Sequence, residues 1–176
     1  HDSPFHLNTT EPGTGRVSLD ADIRLLGKVR LFAGFGPDHL RLLAFGAEAR
    51  TLGVGTRLYR QGSLSDGGYV IVRGNIELMS GLNDTLISSH GPGSLIGEMA
   101  LISETMNAAS AVATENTEIL KISRALFHRM LNEYPELAVL LQKRIAEEAA
   151  EFTSKLEVIR AKLDHANSLA ERAEKS

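Results

Sequence analysis

The spacing of apolar residues divides the chain into a helical beginning, a strand-rich middle and a helical end. Apolar residues recur at helical spacing behind Ser18, which predicts a helix over 18–29 capped by that serine. Pro37 suits the first turn of a helix and begins a second predicted helix over 37–47. Two short helices are therefore expected ahead of the main body of the fold.

The middle of the chain carries short β-like runs separated by turns about every 8–12 residues. Of the 16 glycines, 13 lie between Gly34 and Gly97, so this part of the chain turns often. The predicted strands are EARTL (48–52), TRLYR (56–60), GYVIVRG (68–74), NIELMS (75–80), DTLISSH (84–90), SLIGE (94–98), ASAVAT (109–114) and TEILKIS (117–123). The pattern indicates a small antiparallel barrel or sandwich, most simply a β-roll closed on itself.

Helical spacing returns after this strand-rich part. Ser123 is predicted to cap a helix that runs through Leu131, and Pro135 begins a long helix over 135–176. Apolar or small residues along the long helix alternate spacings of four and three, as in the seam of a coiled coil. The seam residues are Ile145, Ala149, Phe152, Leu156, Ile159, Leu163, Ala166 and Ala170.

The length of this last helix favours pairing with another helix. At 1.5 Å per residue it extends about 50 Å, which is more than a small barrel covers. We expect a coiled-coil dimerisation segment, most simply in a parallel homodimer, and the alternative is a helix packed back on its own domain. The residues predicted to dimerise are Ile145, Phe152, Leu156, Ile159 and Leu163.

Composition narrows the classes of function. Nineteen Lys and Arg against 22 Asp and Glu give a net charge of −3, which offers no general attraction for nucleic acid or an anionic membrane. The chain has no Cys, its six His form no HExxH pair, and no apolar run approaches the ~20 residues of a membrane helix. We therefore expect a cytoplasmic protein that is not an enzyme, holds no metal and has no membrane attachment. Residues 1–17 are interpreted as a flexible arm or a cloning remnant.

The segment from Gly91 to Leu101 carries the strongest chemical signal. Gly97 lets the backbone approach a bound group closely, and a short helix beginning at Glu98 would aim its first amides at an anion. Glu98 repels phosphate but accepts hydrogen bonds from hydroxyl groups, so sugar and phosphate together suggest a nucleotide. The alternative is structural, with Gly97 serving a β-turn and Glu98 favouring the helix dipole.

Several strings, in order along the chain, resemble the cyclic-nucleotide-binding domain family. They are RLYRQGSLSDGGYVIVRGNIEL (57–78), GPGSLIGEMALI (91–102), NAASAVA (107–113) and ISRALF (122–127). The resemblance covers about residues 19–155 and implies an α+β fold with the cyclic-nucleotide-binding domain at 18–134. In similar domains an eight-stranded antiparallel β-roll, like a jelly roll, is flanked by N-terminal helices and a long C-terminal helix.

The resemblance is to catabolite-activator-like and protein-kinase-A-regulatory-subunit-like domains. The chain ends at Ser176, before the ~60 residues that a helix-turn-helix would need. We interpret it as a stand-alone bacterial-type domain and expect no direct DNA binding by this chain.

The resemblance also implies roles in a phosphate-binding cassette. Glu98 would accept a hydrogen bond from a ribose 2′-hydroxyl. Backbone amides facing sugar and phosphate are implied for Gly97, Met99, Ala100 and Ala109. The apolar side of the pocket is implied to be lined by Ile76 and Leu86.

Asn107 departs from the family pattern. It stands where similar domains carry the arginine that pairs with the cyclic phosphate, and asparagine has neither the charge nor the reach. Losing such a contact costs roughly 2–4 kcal/mol, on the order of 30- to 1,000-fold in affinity. Ala108 replaces a Thr or Ser that favours guanine in similar domains, so cAMP is favoured over cGMP if a nucleotide binds.

Two functions remain open on the sequence alone. The first is a regulatory sensor that binds cAMP or another small molecule and signals to an unknown protein partner through helix movement. The second is a degenerate scaffold or dimeric interaction domain that keeps the fold without the ligand. In that case side chains such as Met99 or Met106 are expected to fill the pocket. No cofactor is predicted in either case.

Overall fold

The computed structural model describes residues 19–175. The N-terminal elements are α1 (19–27), a 3-10 turn (Arg30–Phe32) and α2 (Pro37–Gly46). The two predicted helices are confirmed to within two residues at each end. The predicted cap at Ser18 and the arm at 1–17 lie outside the described residues.

The described residues contain ten strands that form two four-stranded sheets and one two-stranded pair. The strands are β1 (Glu48–Leu52), β2 (Arg57–Tyr59), β3 (Leu64–Ser65), β4 (Gly67–Arg73), β5 (Ile76–Ser80), β6 (Thr85–His90), β7 (Leu95–Ile96), β8 (Thr105–Met106), β9 (Ser110–Ala113) and β10 (Thr117–Ser123). One sheet has the order β1-β10-β4-β7, the other has the order β2-β9-β5-β6, and β3 pairs with β8. The eight strands of the two larger sheets are the eight that the sequence predicted, and all pairs are antiparallel.

The core lies between the two larger sheets and follows from alternation along their strands. In β10 and β4, Ile119 pairs with Ile71 and both face the interior of the roll. The next pair, Leu120 with Val70, is also buried and lies on the other face of the sheet, where α2 and α3 contact these strands. The interior cluster consists of Leu52, Tyr69, Ile71, Ile76, Ile96, Ala111, Ala113 and Ile119.

Two helices follow the strands. Ser123 caps α3 (Arg124–Glu133) by accepting a hydrogen bond from the Leu126 amide at 3.1 Å, as predicted. Pro135 then begins α4 (Pro135–Lys175), and this confirms the long C-terminal helix. The chain divides into two compact units, one up to Pro135 and one from Glu136 onward. Among the described residues, the second unit consists of α4 from its second residue onward.

Candidate ligand site in the β-roll

A left-handed glycine places the central turn of the candidate site. Gly97 has φ 79° and ψ 34°, and it is followed by a 3-10 turn at Glu98–Leu101. A Cβ at Gly97 would lie 3.3 Å from the Gly67 carbonyl oxygen, so both the backbone angle and the space favour glycine here. The Ala100 amide closes the turn by donating to the Gly97 carbonyl at 3.0 Å. We call residues 97–101 the cassette turn.

The cassette turn separates its side chains into two groups. Ala100 and Leu101 are buried, and they anchor the turn to the body of the domain. Glu98 is half-buried, and Met99 is 54% exposed. Because the Met99 amide has no acceptor within the turn, it is available in this geometry to a bound group. The turn therefore carries a carboxylate and a backbone amide side by side.

The second predicted segment of the site lies at the end of the β3–β8 pair. The backbones of Asn107 and the 62–63 turn exchange two hydrogen bonds, from Gly62 N to Asn107 O and from Asn107 N to Ser63 O, both at 2.8 Å. The next residue, Ala108, is exposed, whereas Ala109 is buried. The 60–63 turn and the 107–109 segment thus form one hydrogen-bonded edge.

The Asn107 side chain takes part in the same edge. Its Nδ2 donates to Ser63 Oγ at 3.0 Å, and Ser63 Oγ donates to the Arg60 carbonyl at 2.6 Å. The asparagine that replaces the family's arginine is therefore held by a neutral hydrogen-bonded chain. Sequence reasoning did not anticipate this link, because Ser63 and Asn107 are 44 positions apart.

The two residues predicted to line the apolar side differ in their surroundings. Ile76 is fully buried in the interior cluster, whereas Leu86 is 55% exposed on β6. The rings of Tyr59 and Tyr69 also lie at the roll interior, with centroids 5.8 Å apart. Burial, with a smaller contribution from Tyr69, raises the pKa of Tyr59 to about 12, so this phenol is neutral at physiological pH.

Met99 and Met106 do not fill the interior of the roll. Their side chains are 54% and 64% exposed. Plugging by these two methionines, which a degenerate domain was expected to show, is therefore wrong.

Helix α3 holds the cassette turn and the residue after it through two side chains that sequence reasoning did not single out. Arg124 donates from Nε to the Ala100 carbonyl at 3.2 Å and from Nη2 to the Ser65 carbonyl at 2.7 Å. One turn later, His128 Nε2 lies 2.9 Å from the Ile102 carbonyl oxygen. The cassette turn and α3 are therefore directly connected.

Two other arginines of the β-roll, Arg57 and Arg73, pair with acidic side chains. Arg73 pairs with Glu118 at 3.2 Å, and Arg57 lies 3.8 Å from Asp84. The guanidinium found against the cassette turn is that of Arg124, and its Nε and Nη2 are engaged with backbone carbonyls. No three His, Cys, Asp or Glu side chains of residues 19–175 are grouped as a metal site would require.

Comparison with known proteins identifies the family. The family model for the cyclic nucleotide-binding domain matches residues 49–134. A solved cyclic nucleotide-binding-like protein from Brucella abortus is 48% identical, with a TM-score of 0.58, and the match covers 63% of this chain and 97% of that one. The chain belongs to the cyclic nucleotide-binding domain family. Its two-sheet roll with flanking helices is the fold that the resemblance implied.

Longer relatives share this domain. The cyclic AMP receptor protein of Thermus thermophilus is 32% identical over 124 residues, which are 66% of this chain and 57% of the relative. A lysophospholipase, nte1, from Emericella nidulans is 28% identical over 135 residues, which are 75% of this chain but 9% of the relative. The chain thus spans about half of one curated relative and a small part of the other. The domain occurs in proteins with different overall activities.

The predicted site residues are distributed over two regions of the first unit. The cassette turn follows β7, the 107–109 segment lies between β8 and β9, and the roles of both toward a ligand stay predictions. The residues predicted to dimerise all lie on α4, where their pairing likewise stays a prediction. Within residues 19–175, no helix is long and apolar enough to cross a membrane.

Proposed function

We propose that this chain is a regulatory cyclic-nucleotide-binding domain that takes a small ligand against the cassette turn, cAMP in preference to cGMP. The observation that carries the proposal is the left-handed Gly97 followed by Glu98 in a 3-10 turn. This arrangement places a carboxylate acceptor for hydroxyl groups next to a backbone amide donor for an anion. The preference for cAMP rests on Ala108, which has no hydroxyl group to offer a guanine base.

The binding step uses groups of this chain in defined ways. The Glu98 carboxylate accepts from sugar hydroxyls, and the amides of Met99 and Ala109 face the phosphate. Asn107 contributes no positive charge, so the phosphate is held by neutral donors and the affinity for cAMP is lower than an arginine would give. We expect a dissociation constant in the range of roughly 0.1–1 mM.

The output passes from the cassette turn to the helices. Arg124 and His128 connect the turn and its following residue to α3, and α4 follows α3 directly in the chain. A ligand that binds one conformation of the turn more tightly than another favours the corresponding position of α3. The equilibrium between the two positions shifts by the difference between the two binding free energies. In this proposal α4 pairs with another helix, in a homodimer or with a partner protein, and that pairing is the regulated event.

A second function has one observation in its favour. The Asn107 side chain is engaged with Ser63 of the same chain. The edge formed by the 60–63 turn and the 107–109 segment is ordered by hydrogen bonds within the chain, so it does not need a ligand to order it. This supports the alternative of a non-binding scaffold or interaction domain of the same fold.

A nucleotide titration followed by amide NMR separates the two functions. On addition of cAMP, the proposal expects shifts of the amide signals of residues 97–109, a smaller response to cGMP, and a weakened response in Glu98→Gln. Because glutamine keeps the size of the side chain, Glu98→Gln isolates the charge. Unchanged spectra at up to about 5 mM cAMP would overturn ligand binding and leave the scaffold function.

A further inference from the structure

The seam of α4 is exposed in the described chain. Phe152, Leu156, Ile159 and Leu163 are between 49% and 64% exposed, and they lie on one face of the helix at spacings of four and three. Four large apolar side chains in such a row are typical of a helix that packs against another helix. The apolar row by itself does not tell which helix that is.

The residues that border this row are basic. With Leu156 and Leu163 at the a positions and Ile159 at d, the bordering e and g positions between 149 and 166 are Thr153, Lys155, Arg160 and Lys162. Three of these four side chains are cationic and none is acidic. Because e and g residues face the partner helix, their charges select the partner.

A second copy of α4 would bring these cations together. In a parallel pair, Lys155 of one helix lies opposite Arg160 of the other, since g faces the e position five residues on. In the antiparallel pair that matches Phe152 with Leu163, Lys155 instead lies opposite Lys162. Both arrangements therefore place like charges across the seam, which is unfavourable.

Acidic residues of α4 compensate for these charges only in part. Arg160 has Glu157 three positions before it and Asp164 four positions after it, and Lys155 has Glu151 four positions before it. Lys162 has no carboxylate three or four positions away in either direction. A net positive border therefore remains along the seam.

Because the apolar core of the seam is short, the charges that border it have a large effect on which helix it binds. Ala149 separates Ile145 from the row of large side chains, and Ala166 and Ala170 follow that row, so the uninterrupted row fills only about two heptads. A core of this length gives a weak pair, and a few charge contacts then change its affinity by about tenfold.

We propose that the α4 seam binds an amphipathic helix of another protein, with apolar residues facing the seam and Asp or Glu along both borders. This inference rests on the proposed function, in which α4 carries the output, and it names the chemistry of the partner. The complementary charges replace the like-charge contacts of a self-pair with attractive ones.

The test uses the full chain and two designed peptides of about four heptads, identical except for Glu or Lys at every e and g position. Fluorescence anisotropy of the labelled peptides is expected to show at least about tenfold tighter binding of the Glu peptide at low salt. The triple variant Lys155→Glu, Arg160→Glu, Lys162→Glu is expected to prefer the Lys peptide. Because Lys, Arg and Glu have similar helix propensities, circular dichroism is expected to show unchanged helix content.

A matched variant and a sedimentation measurement complete the test. Lys143→Glu with Lys175→Glu reverses two charges away from the seam and is expected to keep the preference for the Glu peptide. Equal binding of both peptides, or a stable dimer of the natural chain at about 10 μM that the Glu peptide does not dissociate, would overturn the proposal. The cAMP titration is independent of these variants, so loss of nucleotide binding and loss of peptide preference are distinguishable.

Discussion

Asn107 donates a hydrogen bond from Nδ2 to Ser63 Oγ at 3.0 Å, at the position where similar domains carry a phosphate-pairing arginine. Ser63 Oγ in turn donates a hydrogen bond to the Arg60 carbonyl oxygen at 2.6 Å. A neutral side chain thus joins the 60–63 turn to the segment before β9. This edge of the site is ordered by the chain's own contacts, and the predictions below follow from it and from the neighbouring cassette turn.

Removing the hydroxyl of Ser63 is expected to loosen this edge. Ser63→Ala removes the acceptor for Asn107 and the donor to the Arg60 carbonyl, and it lowers the free energy of unfolding by about 0.5–1 kcal/mol in total, because both hydrogen bonds are exposed to solvent. Urea denaturation measures the change, and Ser63→Thr, which keeps a hydroxyl, serves as the control. Equal stabilities of the Ala and Thr variants would show that the hydrogen bond contributes nothing.

Arg124 is expected to be the main link between α3 and the cassette turn. Arg124→Gln removes the donors to the Ala100 and Ser65 carbonyls, which costs about 1–3 kcal/mol of stability and speeds amide hydrogen exchange in the cassette turn. Arg129→Gln, at an exposed position of the same helix, is the matched control. Exchange in the cassette turn that stays as slow as in the natural chain contradicts the link.

The left-handed backbone of Gly97 makes an alanine costly. Gly97→Ala is expected to lower the free energy of unfolding by about 1–2 kcal/mol, because a Cβ disfavours this conformation. Gly91→Ala is the control, since Gly91 has open space around its Cβ position and no positive φ. Thermal unfolding compares the two variants, and an equal loss in both would argue against the geometry of the cassette turn.

Asp22 on α1 gives a pH-dependent test. Burial, with a smaller contribution from Glu118, raises the pKa of its carboxyl group above the ordinary value of 3.8. A raised folded-state pKa means that folding favours the protonated form, so this stabilising contribution is complete below the unfolded-state pKa and is lost as the pH rises through the folded-state pKa.

The variant Asp22→Asn is therefore expected to be more stable than the natural chain at pH 7 by a few tenths of a kcal/mol, because Asp22 is partly solvent-screened. This corresponds to a melting temperature about 1 °C higher. The gain disappears near pH 3, where Asp22 is protonated in both states. Asp20→Asn, at an exposed position of α1, is the control, and a gain of the same size in both variants at pH 7 would argue against the burial of Asp22 as the cause.

The sequence predicted the eight strands of the larger sheets because alternation and turn residues mark strands of this kind. It missed β3 and β8, each of two residues, since so short a segment carries no periodicity. Several predicted strands were too long at their ends, as in SLIGE, where Gly97 and Glu98 belong to the cassette turn. The cap at Ser123 was predictable because capping depends on neighbours in the sequence.

The candidate site could be predicted only where the residues that form it are neighbours in the sequence. Gly97 and Glu98 stand next to each other, so their spacing predicted a turn that holds an acceptor beside free amides. The Asn107–Ser63 bond and the contacts of Arg124 join residues that are 24 to 59 positions apart. A single sequence carries no signal for such pairs, because they arise only when the strands have assembled.

Isothermal titration of cAMP into the natural chain and into Asn107→Arg tests the central claim, that the roll retains a cyclic nucleotide site which lacks one charge. The account predicts weak binding by the natural chain. It predicts binding by Asn107→Arg that is on the order of 30- to 1,000-fold tighter, with cAMP preferred over cGMP. A folded Asn107→Arg variant that binds cAMP no more tightly than the natural chain would contradict the claim.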